Sequence, residues 1–242
     1  MAKQKFYSII YDDHNYIVVN KAPGFLTIQD RYQHDLKNLK GLLTEKYGEV
    51  LVVHRIDKGT SGIVVFAKTP EAHRDLSAQF ENRQVDKSYL AIVNGNLRKK
   101  TETITTMIAR DEGGKGRMKV VSTKGKIAIS HYEVIEQFQN FTAVRIRIET
   151  GRTHQVRVHM SSIGHALVGD VLYGGQEELS IGDLKRRVSG ESQRPLINRP
   201  ALHAERIGFT TIEGEKLNLE CTPPKDIRAT LAQLRKWKGM KA

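Results

Sequence analysis

Two apolar, β-branched runs, Val50-Leu51-Val52-Val53 and Ile63-Val64-Val65-Phe66-Ala67, enclose one polar loop, His54-Arg55-Ile56-Asp57-Lys58-Gly59-Thr60-Ser61-Gly62. Apolar runs of this kind, bounded by glycine, are the mark of buried strands. Two such strands place a rigid sheet under the loop and hold Asp57 at its edge. Catalytic groups concentrate on loops carried by rigid scaffolds, and a carboxylate there can act as nucleophile or base. The same residue types also build ordinary turns and surface ion pairs. The loop alone therefore leaves both a catalytic and a purely structural reading open.

The chain has 242 residues, room for one large domain or two small ones. No internal repeat or linker composition divides it, so a single domain over 1–242 is expected. No apolar run approaches the ~20 residues that span a bilayer. The start, Met-Ala-Lys-Gln-Lys, leads into a short apolar strand and not a signal-peptide core. The single cysteine, Cys221, has no internal partner, which suits a reducing cytoplasm. Lys and Arg number 39 against 27 acids, a net charge of +12. Such an excess fits a polyanionic partner, because each neutralised phosphate releases counterions. A solubilising surface is the plainer alternative. No basic helix with an aromatic face points to a membrane surface.

Periodicity outlines the elements. Ser8–Tyr11 and Tyr16–Val19 read as a hairpin. Leu36, Leu39, Leu43 and Tyr47 fall at helical spacing, with Gly48 as the stop. Thr69-Pro70-Glu71 is a helix start, with Ala72, Leu76 and Phe80 on one face and an end near Arg83. Lys87–Val93 is a strand closed by Asn94-Gly95. The stretch 111–126 is glycine-rich and basic, either an RNA-contacting loop or a hairpin tip. Val144, Ile146 and Ile148 alternate with charges as a half-buried strand, and a helix is expected from Thr153, with Val156, Met160 and Ile163 inward. Residues 176–200 read as a long polar insertion with a short helix near Asp183–Val188. Arg206–Ile212 and Lys216–Cys221 form a hairpin, and Thr222-Pro223-Pro224 opens a last helix. Strands outnumber helices and several are joined by short turns, which predicts an α+β fold with a mixed, largely antiparallel sheet.

Several chemistries lack their motifs. His154 and His159 are five apart, no His-Glu-x-x-His occurs, and no cysteine pair exists, so no metal is expected. There is no phosphate loop, no Gly-x-Ser-x-Gly elbow, and no kinase loop, which needs Asp directly after Arg.

Three separated segments then fall into register with one family. His54–Gly62 resembles the His-Arg-Leu-Asp-x-x-Thr-Ser-Gly motif of the RluA family of RNA pseudouridine synthases. Lys87–Gly95 is similar to its Lys-x-Tyr-x-Ala-x-Val-x-Gly segment, and Thr150–His159 to its Gly-Arg-Thr-His-Gln-Ile/Leu-Arg-Val-His segment. Gly164-His165, Gly169-Asp170, Tyr173-Gly174 and Leu202-His203-Ala204 continue the match in order, over about Ile9 to Pro224. Asn20-Lys21-Ala22-Pro23-Gly24 departs from the family's Asn-Lys-Pro-x-Gly by one place, and Ile56 replaces Leu. The chain begins almost at the catalytic region, as in short members without an S4 domain.

The resemblance implies a pseudouridine synthase fold, helices and loops flanking the sheet around a central active-site cleft. It implies an isomerase in which Asp57 attacks a uridine at C6 or C1′, Tyr89 stacks on the uracil, and Arg157 pairs with the aspartate. Arg55 would fill the place of the flipped nucleotide. Arg152 and His154 would either bind phosphate or brace the strand–helix turn, and Lys21, Lys115 and Arg117 are further candidates for RNA contact. The reaction transfers no electrons and no external group, so no cofactor is expected. The RNA partner would be tRNA or large-subunit rRNA, and the protein a cytoplasmic monomer without membrane attachment. The rival reading is a catalytically idle RNA-binding or ribosome-assembly protein on the same fold. The joint presence of Asp57, Tyr89 and Arg157 argues against it, since binding alone needs only basic surface. Extrusion of the base is a physical requirement, because the target carbon is hidden in the stack, and a flat ring beside the carboxylate suits an extruded base.

Overall fold

A computed structural model describes residues 6–30, 33–114, 116–185 and 195–239. The chain forms two compact units, Met1–Ser88 with His203–Thr222, and Tyr89–Leu202 with Pro223–Ala242. A single domain was expected because no linker is visible. Two of the three crossings lie inside strands, Asp86–Asn94 and Leu202–Thr210, and the third falls at Thr222-Pro223, which reads in the sequence as the start of a helix, so no linker composition stands out.

In the first unit β1 (Tyr7–Asp12) and β2 (Tyr16–Lys21) form the expected hairpin. The Asp13 carboxylate fixes its turn, accepting the N–H groups of Asn15 and Tyr16 at 2.8 and 2.6 Å. Helix α1 (Leu39–Tyr47) starts later than the leucine spacing suggested. Asn38 caps it by accepting the Gly41 N–H, which leaves Leu36 outside and exposed. The chain then runs through β3 (Leu51–Val52) and β4 (Ser61–Ala67). β4 pairs antiparallel with β2 and β3, and all seven of its residues are buried. Helix α2 (Pro70–Glu81) is capped by Thr69 with proline in its first turn. Its Ala72 and Leu76 close a core with Tyr16, Val18, Ile63 and Val65.

β5 (Asp86–Asn94) enters the second unit. There β6 (Thr101–Arg110), β7 (Met118–Val121), β8 (Lys126–Phe138) and β9 (Phe141–Ile148) follow. β7 and β8 both pair antiparallel with β6, and β9 with β8. Helix α3 (Gln155–Ser162) lays Val156 and Met160 on the core of Ala91, Val93, Val144 and Ile146. The expected insertion at 176–200 is partly core. β10 (Leu179–Ser180) pairs with β11 (Pro195–Ile197), and α4 (Ile181–Leu184) ends before the predicted helix does. Residues 186–188 of that prediction, within 186–194, lie outside the described residues. Leu179, Leu184 and Ile197 are buried with Ile227 and Leu234 of the closing helix α5 (Lys225–Lys238).

β12 (Leu202–Thr210) and β13 (Lys216–Glu220) return to the first unit as the expected hairpin. β12 meets β4 in parallel, His203 opposite Ser61 and Ala204 opposite Gly62. This parallel pairing makes the sheet mixed, as an α+β chain of this pattern predicts.

Candidate active site

Asp57 sits half-buried on the loop between β3 and β4, and its neighbours are tied down on both sides. Before it, the His54 ring accepts the Val65 N–H at 3.0 Å and stacks on Phe80 at 4.8 Å. Burial, with a smaller push from Lys87, lowers the His54 pKa to about 3, so the ring stays neutral and keeps its acceptor. Ile56 is buried, and its carbonyl accepts the Thr27 hydroxyl at 3.0 Å. The Asp57 carbonyl accepts the Thr60 N–H at 3.1 Å.

After it, the Ser61 hydroxyl donates to His203 Nδ1 at 3.0 Å, and His203 Nε2 donates to the Cys221 carbonyl at 3.1 Å. A neutral imidazole with its proton on Nε2 satisfies both bonds. Gly62 has φ +117, and a Cβ there would stand 2.2 Å from the Ala204 carbonyl oxygen. Only glycine lets β12 approach this closely. The loop motif is thus largely scaffolding, and it leaves Arg55 and Lys58 exposed beside the half-buried Asp57.

Lys21, expected at the RNA surface, is elsewhere. It is 0% exposed, and its ammonium donates to the carbonyls of Ala22, Phe25 and Lys58 at 3.0, 2.7 and 3.3 Å. A buried ammonium must find acceptors, and these three lock the 22–25 turn to the residue after Asp57. Lys21 is a brace and not a surface cation.

In the second unit Arg157 is buried on α3, and Asp170 grips it from both oxygens, Nε to Oδ2 at 2.7 Å and Nη2 to Oδ1 at 2.8 Å. The fork-to-fork geometry fixes the guanidinium plane. Its Cζ also lies 4.9 Å from the centre of the Tyr173 ring. Asp170 was not among the predicted site residues, although it stands in the matched Gly169-Asp170 pair. The other polar residues of the segment brace β8. Gln155 donates to the Ile129 carbonyl and the Ser130 hydroxyl and accepts from Thr150 and the Arg152 N–H. His159 bridges Ser130 and Thr106, and burial lowers its pKa to about 4.

His154 departs from the helix expected to start at Thr153. It adopts a left-handed conformation, φ 56, and its Nδ1 shares a 2.8 Å hydrogen bond with the Tyr173 hydroxyl. That hydroxyl accepts the Met118 N–H at 2.9 Å, which ties the basic β6–β7 ribbon to the α3 start. Tyr89 is half-buried and packs on the cluster that takes in Val156 and Met160.

Arg152 donates from Nε to the Ile127 carbonyl at 3.0 Å and, with Arg110, Lys124 and Lys126, lines an open groove of about 440 Å³. Arg117 is exposed, its Cζ 5.6 Å from the Tyr173 ring centre. Lys115 lies outside the described residues. Arg110, Lys124 and Lys126 were not named as site residues. The signal was the basic run across 110–126, which no single motif marks. Among the described residues no group of three His, Cys, Asp or Glu side chains could hold a metal ion, and no helix is long and apolar enough to cross a membrane.

Residues 15–162 match a family model described as RNA pseudouridylate synthase. The ribosomal large subunit pseudouridine synthase D of Zymomonas mobilis is 35% identical over 237 residues, which cover 93% of this chain and 72% of that protein. The protein of the same name from Pseudomonas aeruginosa is 37% identical over 234 residues, 94% of this chain and 71% of that one. Among solved structures, human RNA pseudouridylate synthase domain containing 4 superposes with a TM-score of 0.75 at 26% identity, over 97% of this chain and 94% of that chain.

Proposed function

The chain belongs to the RNA pseudouridylate synthase family and is an RNA isomerase, and we propose that it converts uridine to pseudouridine in large-subunit ribosomal RNA with Asp57 as its nucleophile. The observation that carries this reading is the loop itself. His54, Ile56, Thr60, Ser61 and Gly62 each brace the turn, and they hold the half-buried Asp57 in place. Its substrate is inferred from the relatives named for the large ribosomal subunit, which makes tRNA the second choice. A ribosomal substrate would place the enzyme in the cytoplasm, and one copy would serve one RNA site.

In this mechanism the target nucleotide leaves its stack and its uracil lies against Tyr89, a contact worth ~1–3 kcal/mol. Arg55, exposed on the loop, takes the vacated space. The Asp57 carboxylate bonds to C6 of the base or C1′ of the sugar, and the N1–C1′ bond breaks. The uracil turns, C5 bonds to C1′, and the Asp57 bond is released. The C5 proton departs and N1 gains one, so the product is an isomer of the substrate. Arg157, held by Asp170, supplies a fixed cation to the site. The basic groove lined by Arg110, Lys124, Lys126 and Arg152 carries the RNA backbone.

Tritium release from 5-³H-uridine transcripts of large-subunit rRNA and of tRNA tests the reading. Release from the rRNA transcript, matched by pseudouridines that vanish from the large subunit in cells lacking the gene, is the expected result. Release from tRNA alone would replace the substrate, and none from either would remove the activity.

A further inference from the structure

Lys87 carries a charge that the fold does not use. It is the second residue of β5 and is 8% exposed. Among the described residues its ammonium has no hydrogen-bond or ion-pair partner; it lies 5.0 Å from the centre of the Phe80 ring. Asp86 precedes it, but adjacent residues of a strand point to opposite sides, and Asp86 is exposed where Lys87 is buried. Burial pulls the Lys87 pKa below its usual value, and the nearby charge of Asp86 offsets part of that.

The same unit shows what a structural lysine looks like here. Lys21 is buried and surrounded by three carbonyls. Lys87 has none; its Nζ keeps an edge on solvent, at the cost of a partly desolvated charge. A methionine would fill the same space against Phe80 without that cost. The charge is therefore kept for something the isolated chain does not contain.

Its place says what. Phe80 stacks on His54, and Lys87 stands on Phe80, close enough for its charge to bear on the His54 ring. The ammonium thus lies at the foot of the loop that carries Arg55 and Asp57. Tyr89 follows two residues on, the spacing that returns a strand side chain to the same face.

We propose that Lys87 is a substrate contact whose ammonium takes a phosphodiester oxygen of the RNA next to the uridine attacked by Asp57. This rests on the reading of the protein as a uridine isomerase. The chemistry selects phosphate. A lysine ammonium is a compact donor without the planar fork that reads a base edge, and a partly desolvated cation attracts an anion more strongly than one in water. The neutral His54 beside it cannot supply that charge.

The full chain carrying Lys87→Met tests the assignment by RNA binding across a salt series, tritium release and a thermal melt. The expected result is a loss of affinity of about ten-fold and a log–log salt slope shallower by about 0.7–0.9, with a melting temperature no lower than wild type. Substrates with single neutral methylphosphonates around the target uridine test the same contact from the RNA side. Wild type should lose the same factor at one position, and Lys87→Met should lose nothing further there. Unchanged affinity and slope in Lys87→Met overturn the proposal. If that variant folds poorly, a wild-type scan with no sensitive methylphosphonate beside the target overturns it equally. A wild type that releases no tritium overturns the isomerase reading itself, whereas an active wild type with an indifferent Lys87→Met overturns only the contact.

Discussion

Asp57→Asn keeps the shape of one side chain and removes its anion. Tritium release should fall to background, while filter binding stays within about two-fold, because phosphate contacts carry most RNA affinity. The melt should move little, by about 1 kcal/mol or less, since asparagine keeps the shape of the side chain and one accepting oxygen. Appreciable turnover by the variant would mean that the carboxylate is not the nucleophile. Asp170→Ala asks a different question of the same chemistry. It leaves Arg157 buried without its carboxylate, and breaking such a pair costs about 3–5 kcal/mol. A urea midpoint close to wild type would show that Arg157 is held by other contacts. The two aspartates were unequally visible in the sequence. Asp57 sits in a dense motif between apolar runs, whereas the meaning of Asp170 depends on a partner thirteen positions away in a segment without periodicity.

Elements were legible where one residue type marked a boundary. Thr69-Pro70 and Asn94-Gly95 did so for α2 and β5. β6 and β8 went unread because burial along β6 falls on Ile104 and Ile108, four apart among threonines and a glutamate, which matches neither alternation nor an amphipathic helix cleanly. α3 shows the converse. Its segment looked like a binding motif, yet Gln155 and His159 spend their polar groups on β8. That burial has a consequence in pH. His54 and His159 have folded pKa values of about 3 and about 4 against an ordinary 6.5. The unfolded chain therefore binds protons that the folded chain refuses. Their contribution to stability is complete above pH 6.5 and is lost as the pH falls towards 4. With His54 discounted for its partial exposure, the pair should give a slope of about 2 kcal/mol per pH unit between 6 and 4.5. Urea denaturation at pH 7.5, 6 and 5 measures it, and His159→Gln should flatten the curve. Equal midpoints at all three would show that neither ring is held neutral by the fold.

At the scale of the whole molecule the division into two units was invisible, because two of the chain's three crossings lie within β5 and β12, where a strand has no linker signature, and the third, at Thr222-Pro223, reads as a helix start. Net charge, by contrast, was plain from the first count, although its placement was not. The structure gathers part of the +12 into the groove of Arg110, Lys124, Lys126 and Arg152. If about six cations, these with Arg55 and Lys87, each displace one counterion, the logarithm of RNA affinity should fall with the logarithm of salt at a slope of roughly −4 to −5. Replacing Arg110, Lys124 and Lys126 by alanine should make that slope shallower by about 2–3. All three side chains are exposed, so the melt should hold and the loss belong to binding. The effect should be uniform across RNA sequences, because phosphate contacts position a strand without reading its bases. A slope that survives the triple substitution would move the RNA path off this groove, and a flat slope in the wild type would remove the polyelectrolyte account altogether.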